Sequence, residues 1–359
     1  MKQKTTPARF PLRRQLAGLY GYELTSCIDI TTAVWVALLA ARGYSLWQIG
    51  LAEGVHHIVS LAAEIPSGMA ADLLGRRRTL AASGLMAALS GLLMAFEQGF
   101  GFVLASMALS ALSYNLISGT FEALSYDSLC AAGRTELYPT VQTRCALLQS
   151  VGSILGHLAS LLTAVLPFRA YYLIDVGLSG LRSLAAGSLR EPVVTETQAA
   201  REAAETRALL ATLPRRLRTH VRETVRFLLG SPATTRLIFA NAVISLPCYL
   251  TLMFLQQRLS AAGLPTALLG LIVCLFELGR PVGSWLSLRV RPRRLVGLYA
   301  ACAALGGLCT VAAGLAPLPL AVLAGAGFAG CEMLSTLCTE RRLNDSFPSD
   351  QRATLVSVN

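Results

Sequence analysis

Long apolar stretches recur along the chain, divided by shorter segments that gather nearly all of its charge. A helix needs about 20 apolar residues to cross the roughly 30 Å hydrocarbon layer of a bilayer. Stretches of that kind fall near 17–40, 46–71, 79–96, 102–126, 146–166, 171–189, 236–256, 266–288, 295–313 and 317–338. The pattern predicts ten membrane-spanning helices. Composition agrees, with 54% hydrophobic and only 14% charged residues, whereas a soluble domain carries about 25% charged residues. The expected fold class is all-α, a polytopic membrane protein with the lipid bilayer as its main partner.

Placement of the basic residues orients the spans, because arginine and lysine are retained on the cytoplasmic side. With the amino terminus inside, all but five of the 31 basic residues fall at that terminus or in the loops at 76–78, 127–144, 190–236, 289–294 and 339–352. The five are Arg42, Arg169 and Arg258 in opposite loops, and Arg182 and Arg280 within spans. A multi-pass protein of the cell (inner) membrane with a cytoplasmic amino terminus is expected. The net charge of +11 then belongs to a surface facing anionic lipid, and it gives no support to nucleic-acid binding. A cleaved signal peptide ending at Leu39-Ala40-Ala41 is the competing reading of the first span. Glu23 and Asp29 within that stretch favour a retained helix.

The hydrophilic segment 190–236 divides the chain into an amino-terminal six-helix bundle, 1–189, and a carboxy-terminal bundle, 237–359. Within this cytoplasmic linker Leu217, Val221, Val225 and Leu228 or Leu229 recur at helical spacing between Pro214 and Pro232. That suits an amphipathic helix in the headgroup region, and equally a solvated, partly helical linker. The halves repeat weakly. Gly119-Thr120-Phe121-Glu122 followed by Arg144 matches Gly330-Cys331-Glu332 followed by Arg352, and Gly68 to Leu80 overlays Gly283 to Leu295 with Ser287 in place of Asp72. Internal repeats of this kind mark many transporters.

Between the second and third stretches stands Gly68-Met69-Ala70-Ala71-Asp72-Leu73-Leu74-Gly75-Arg76-Arg77-Arg78. Small residues there permit close approach and a sharp reversal, and the arginines stop the chain at the membrane face. This pattern closely resembles the loop signature of the major facilitator superfamily of transporters. The resemblance implies a twelve-helix fold in which Asp72 faces the start of the eleventh helix and Arg76 pairs with an acid at the end of the fourth, for which Asp127 is the candidate. Leu73 departs from the basic residue common at its position. By the repeat, Arg352 opens the approach to an eleventh helix, so an incomplete member with ten of twelve helices is expected; a natural ten-helix protein is the alternative. Glu64-Ile65-Pro66-Ser67-Gly68 and Glu122 to Leu129 look like a branch loosely described as drug or metabolite exporters. The function implied is secondary transport of a small solute, in the export direction, by alternating access in a monomer. The alternative is a truncated, non-transporting remnant or a membrane scaffold.

Ionisable residues at membrane depth are costly and are functional candidates by default. Asp29 and Glu277 lie closest to mid-membrane, Arg280 stands three residues after Glu277 on one expected helical face, and Glu122 and Glu332 sit nearer the cytoplasmic ends of their spans. An internal Glu277–Arg280 pair is the structural alternative for those two. Asn115, also a candidate for binding substrate or proton, replaces the arginine that many proton antiporters of the superfamily carry four residues before a glycine, here Gly119, and His157 follows Gly156 where they carry proline. Coupling to protons stays open on these grounds. Interfacial or interhelical roles are expected for Glu23, Glu53, Glu64 and Asp175, and packing roles for His56, His57 and His157. The nine cysteines show no paired close spacing and read as packing residues. No nucleophile and base constellation, phosphate-cradling loop or metal-ligand cluster is present in the sequence, so no enzyme, cofactor or metal is expected.

Overall fold

A computed structural model describes residues 10–192, 222, 230–287, 289 and 295–346, with a few side chains inside helices, that of Asp72 among them, left outside the description. The described residues form helices joined by short turns. In chain order these are α1 (Leu12–Cys27), α2 (Trp35–Ala41), α3 (Leu46–Leu74), α4 (Arg76–Ala95), α5 (Phe100–Ile117), α6 (Thr120–Ala131), α7 (Tyr138–Leu158), α8 (Phe168–Ser188), α9 (Pro232–Ala261), α10 (Thr266–Glu277), α11 (Gly279–Ser287), α12 (Leu295–Leu315) and α13 (Leu318–Ser346).

Each apolar stretch of the sequence contains helix, and three of the stretches are interrupted. The first breaks over 28–34, the fourth at Ser118–Gly119 and the eighth at Leu278. Seven helical segments among the described residues are long and apolar enough to cross a membrane. The first, second and sixth stretches fall short of that standard for local reasons: α1 and α2 are separated, α3 carries Glu53, His56, His57 and Glu64, and α8 carries Arg169, Asp175 and Arg182. Two helix starts show ordinary capping chemistry. Ser45 accepts the N–H of Gln48 at 3.3 Å while Gln48 Oε1 accepts the N–H of Ser45 at 2.9 Å, a reciprocal box at the start of α3. Pro232 opens α9 in the first-turn position, where its missing N–H costs nothing.

Packing groups the chain into two compact units: Met1–Asp29, Gly50–Leu155 and Phe168–Thr219 form one, and Ile30–Ile49, Gly156–Pro167 and His220–Asn359 the other. In the first unit α4 lies along both α8 and α5, with α1 and α6 completing the bundle. Its core joins α1, α4, α6, α7 and the end of α8 through Leu19, Tyr22, Leu80, Phe121, Leu124 and Val141. In the second unit α13 is the central helix, packed by α9, α10, α11 and α12; α2 lies on α9, and the 3-10 stretch Ala159–Ala164 lies on α10.

Most of the linker, including Leu217, Val221, Val225, Leu228 and Leu229, lies outside the described residues, as does the repeat around Arg352.

Candidate functional site

Two of the expected groups meet at the turn between α3 and α4. Gly75 adopts φ +98°, a conformation that side chains resist, and this reverses the chain directly before Arg76. The guanidinium of Arg76 pairs with the carboxylate of Asp127 and donates to the Ala123 carbonyl at 2.9 Å, so the start of α4 is tied to the middle and first turn of α6. Glu191, just beyond α8, is a third participant that the sequence did not reveal. Its carboxylate accepts the backbone N–H groups of Arg76 (2.9 Å) and Arg77 (2.8 Å), where the exposed amides and the helix dipole favour an anion. The one available signal was an acidic residue at the end of the sixth stretch. Gly68 lies exposed on α3 and Asp72 on its last turns, but the Asp72 side chain is outside the description.

A second cluster forms in the other unit. Gly279 and Gly283 of α11 face Ala326 and Gly330 of α13 so closely that a Cβ on Gly279 would stand 1.8 Å from the Ala326 carbonyl oxygen, and one on Gly283 2.1 Å from that of Gly330. Two small-x3-small patterns thus bring backbones together, as membrane helices commonly do. The contact delivers Arg280 to Glu332, which lies two residues beyond Gly330. Arg280 Nε stands 2.9 Å from Glu277 Oε2 and its Nη2 3.6 Å from Glu332 Oε2. Glu332 Oε1 also accepts from Thr336 at 3.1 Å and Ser245 at 3.4 Å, and Asn241 Oδ1 accepts from Ser335 and Thr336. Two carboxylates therefore share one guanidinium. Glu277 and Arg280 form the expected pair three residues apart; they stand on either side of Leu278, where the backbone stays helical and the Leu278 N–H still reaches the Cys274 carbonyl at 3.2 Å.

Back in the first unit, the rings of Tyr22 and Phe121 stack with centroids 5.7 Å apart. Their chain neighbours Glu23 and Glu122 are thereby placed close enough for the Glu122 charge to act on Glu23. Glu23 thus keeps company with a candidate acid. Asp29 lies in the interruption after α1, and its charge reaches Tyr171, Tyr172 and Asp175 of α8. Asn115 is fully buried, and its amide is spent on Ser60: Ser60 Oγ donates to Asn115 Oδ1 at 2.7 Å, and Asn115 Nδ2 donates to the Ser60 carbonyl. It joins α3 to α5 through one N–H and one lone pair of its amide. Arg182 is 9% exposed and donates to Ser113 Oγ at 3.1 Å, part of a buried network that includes Ser83 and Tyr22.

A cavity of about 1010 Å³ opens among α9 to α13, lined by residues such as Leu275, Val282, Leu305, Val322 and Ala326 and by no ionisable group other than the thiols of Cys302 and Cys331. It offers burial and little means of recognising a polar solute. Among the described residues no group of three or more His, Cys, Asp or Glu could hold a metal.

The family profile of the Major Facilitator Superfamily matches residues 24–359, nearly the whole chain. The chain belongs to this superfamily. It is a multi-pass membrane protein of a transporter family and not an enzyme. Two Bacillus subtilis (strain 168) proteins are similar over part of their length: the uncharacterized MFS-type transporter YxaM, 34% identical over 95 residues, and the uncharacterized MFS-type transporter YdeG, 32% identical over 138 residues. These alignments cover 26% and 35% of this chain and only 24% and 32% of the two relatives. Solved superfamily structures share the fold at low identity. A point mutant of the nucleoside transporter NupG gives a TM-score of 0.72 at 14% identity, over 97% of this chain and 86% of that one. A D-xylose-proton symporter gives 0.65 at 14%, over 98% and 86%. A point mutant of the E. coli fucose:proton symporter FucP gives 0.56 at 16%, over 98% and 88%.

Proposed function

We propose that this superfamily member is a secondary active transporter that exports a small solute, a drug-like compound or metabolite, by alternating access in the inner membrane with its amino terminus in the cytoplasm. The observation that carries the reading is a coincidence of helix breaks with charge. The interruption at 28–34 holds Asp29, that at Ser118–Gly119 precedes Glu122, and a one-residue irregularity at Leu278, with the backbone still helical, stands between Glu277 and Arg280. Broken backbone at membrane depth is tolerated where it is covered by protein or lines a water-filled cavity, and ionisable side chains there mark solute or ion paths. Discontinuous helices of this kind build the binding sites of many secondary transporters. Glu277, Arg280 and Glu332 are the groups assigned to binding in one unit, and Glu122, with Glu23 and Asp29, in the other. Their excess of carboxylate over guanidinium supports a cationic solute or a coupled proton.

Gating is assigned to the turn from Gly68 through Asp72 to Arg76 with Asp127. Two of the superfamily proteins that share the fold are proton symporters by name, which keeps protons foremost among coupling ions to test. Orientation draws support from two of the basic residues that stand apart from the cytoplasmic majority. Arg169 donates to the Ala95 carbonyl at 3.3 Å and lies over the Phe96 ring, and Arg258 donates to the Ala316 carbonyl at 2.6 Å. Both serve helix C-termini, a role that holds a cation at an outer loop without reversing the topology.

The test is uptake into proteoliposomes containing the full chain, with a panel of labelled cationic, neutral and anionic solutes. At least one solute is expected to accumulate above protein-free vesicles, and Glu332→Gln should lower that accumulation by about tenfold, the change that ~1.4 kcal/mol of lost binding produces. A panel in which nothing moves, with helicity intact, would favour the scaffold reading.

A further inference from the structure

In the second unit α11 and α12 each pack along α13, and the apolar cavity lies between them as a groove. On α10 and α11 the lining residues Ile272, Leu275, Gly279, Val282 and Leu286 recur at alternating spacings of three and four. That is the stripe of a helix face that takes an apolar partner. It runs for about 21 Å at the α-helical rise per residue. Among the described residues nothing fills the groove, and its walls stay open: Val282 is 55% exposed, Leu305 of α12 51% and Leu323 of α13 67%.

One end of the groove lies at Leu286, in the last turn of α11, and at Leu298, in the first turn of α12. Chain connectivity keeps the segment that joins these helices at that end. Four of the six residues 289–294 are arginine, at 289, 291, 293 and 294, and none is acidic. Arg289 is exposed, with its guanidinium carbon 3.5 Å from the centroid of the half-exposed Trp285 ring. Tryptophan and arginine at the end of an apolar helix mark the membrane–water interface.

An apolar groove that ends in a cluster of guanidinium groups suits one kind of molecule. The acyl chains of a single leaflet reach about half of the roughly 30 Å hydrocarbon layer, so the groove is long enough for one whole chain. Basic residues at that level attract anionic headgroups. A second copy of the protein packed by the same face would instead bring four more arginines against these four, a juxtaposition of like charge.

We propose that this groove is a binding site for an anionic phospholipid, with one acyl chain between α11 and α12 and its phosphate on the arginines of 289–294. The inference needs only the membrane setting of the chain and stands whether or not a solute is transported. The full chain is placed in phosphatidylcholine nanodiscs with a small, equal fraction of either phosphatidylglycerol or phosphatidylcholine that carries a diazirine on one acyl chain. Adducts formed on irradiation are located by peptide mass spectrometry. They should concentrate on 272–286 and 298–305 and be about tenfold more abundant with the phosphatidylglycerol probe, the factor that ~1.4 kcal/mol gives. Combining Arg289→Gln, Arg291→Gln, Arg293→Gln and Arg294→Gln should bring the two probes to equal labelling. Ala301→Trp, at an exposed lining position of α12, should lower groove adducts of both probes severalfold and leave adducts elsewhere unchanged.

Equal labelling of the groove by the two probes in the wild type overturns the anionic site. Adducts spread evenly over all exposed apolar faces overturn it too, as does a groove without adducts because a second copy or another part of this chain covers it. Where Ala301→Trp does not fold, the arginine variant decides alone, and a phosphatidylglycerol preference that survives in it overturns the assignment.

Discussion

The Arg76–Asp127 pair offers the sharpest quantitative test. Its side chains are 17% and 16% exposed, between a surface pair and a buried one. An exposed ion pair couples by about 0.2–1 kcal/mol, and breaking a fully buried one costs about 3–5 kcal/mol. Hydrogen bonds to charged groups fall at about 1.5–3 kcal/mol. With one direct contact plus the bond from Arg76 to the Ala123 carbonyl, a coupling of about 1–2 kcal/mol is expected by interpolation between those limits. Arg76→Ala, Asp127→Ala and the double variant complete a cycle, read as unfolding free energy in mixed lipid–detergent micelles with increasing denaturant. Glu191→Gln serves as a control, because it weakens the capping of α4 by about 0.3–1 kcal/mol while leaving the Arg76–Asp127 coupling in place. Additive losses, with an interaction term below the ~0.3 kcal/mol expected of independent sites, would refute the pair as a structural tie. A coupling that vanished in Glu191→Gln would show instead that the three groups act as one unit.

Gly279→Leu should cost at least the ~1–3 kcal/mol of an overpacked core and lower the thermal midpoint, since α11 cannot then approach the Ala326 carbonyl; an unchanged midpoint would contradict the close backbone contact. Asn115→Ala leaves Ser60 without its partner and should destabilise by about 1–3 kcal/mol, with uptake per folded molecule unchanged; a selective loss of uptake would return Asn115 to the binding site. Arg258→Ala removes the donor at the end of α12 and should cost about 0.3–2 kcal/mol, part of it recovered in Arg258→Lys. Equal stability of all three chains would show that the cap contributes nothing.

The periodicity of apolar stretches made the architecture legible because membrane depth demands a fixed length of helix, and a single chain displays that length directly. The signature turn was legible for a similar reason. Gly75 is required by its positive φ, and the arginines by the membrane face, so local demands left local marks. The remaining features depend on what meets across the bundle. Glu191 looks like an ordinary end-of-helix acid until α4 begins beside it. Asn115 looks like a polar group facing a cavity until Ser60 of α3 engages both ends of its amide. The stacking of Tyr22 on Phe121 aligns Glu23 with Glu122, and no spacing rule relates positions so far apart in the chain. The helix breaks were illegible because Gly119 and Leu278 lie in apolar runs whose hydropathy does not change there.

The breaks and the small residues explain each other. A charged group at membrane depth needs either a partner or water, and a continuous, evenly packed helix supplies neither. At Leu278 α10 passes into α11 with the backbone still helical, and Gly279, which has no side chain, lets α13 come within backbone distance. The same approach that closes the gap between α11 and α13 gives Arg280 its second carboxylate, Glu332. A substitution at Gly279 should therefore disturb the charge cluster before it disturbs the fold. In Gly279→Ala, the smaller change, solute uptake should fall further than stability does. The opposite order would mean that Glu277, Arg280 and Glu332 serve packing alone.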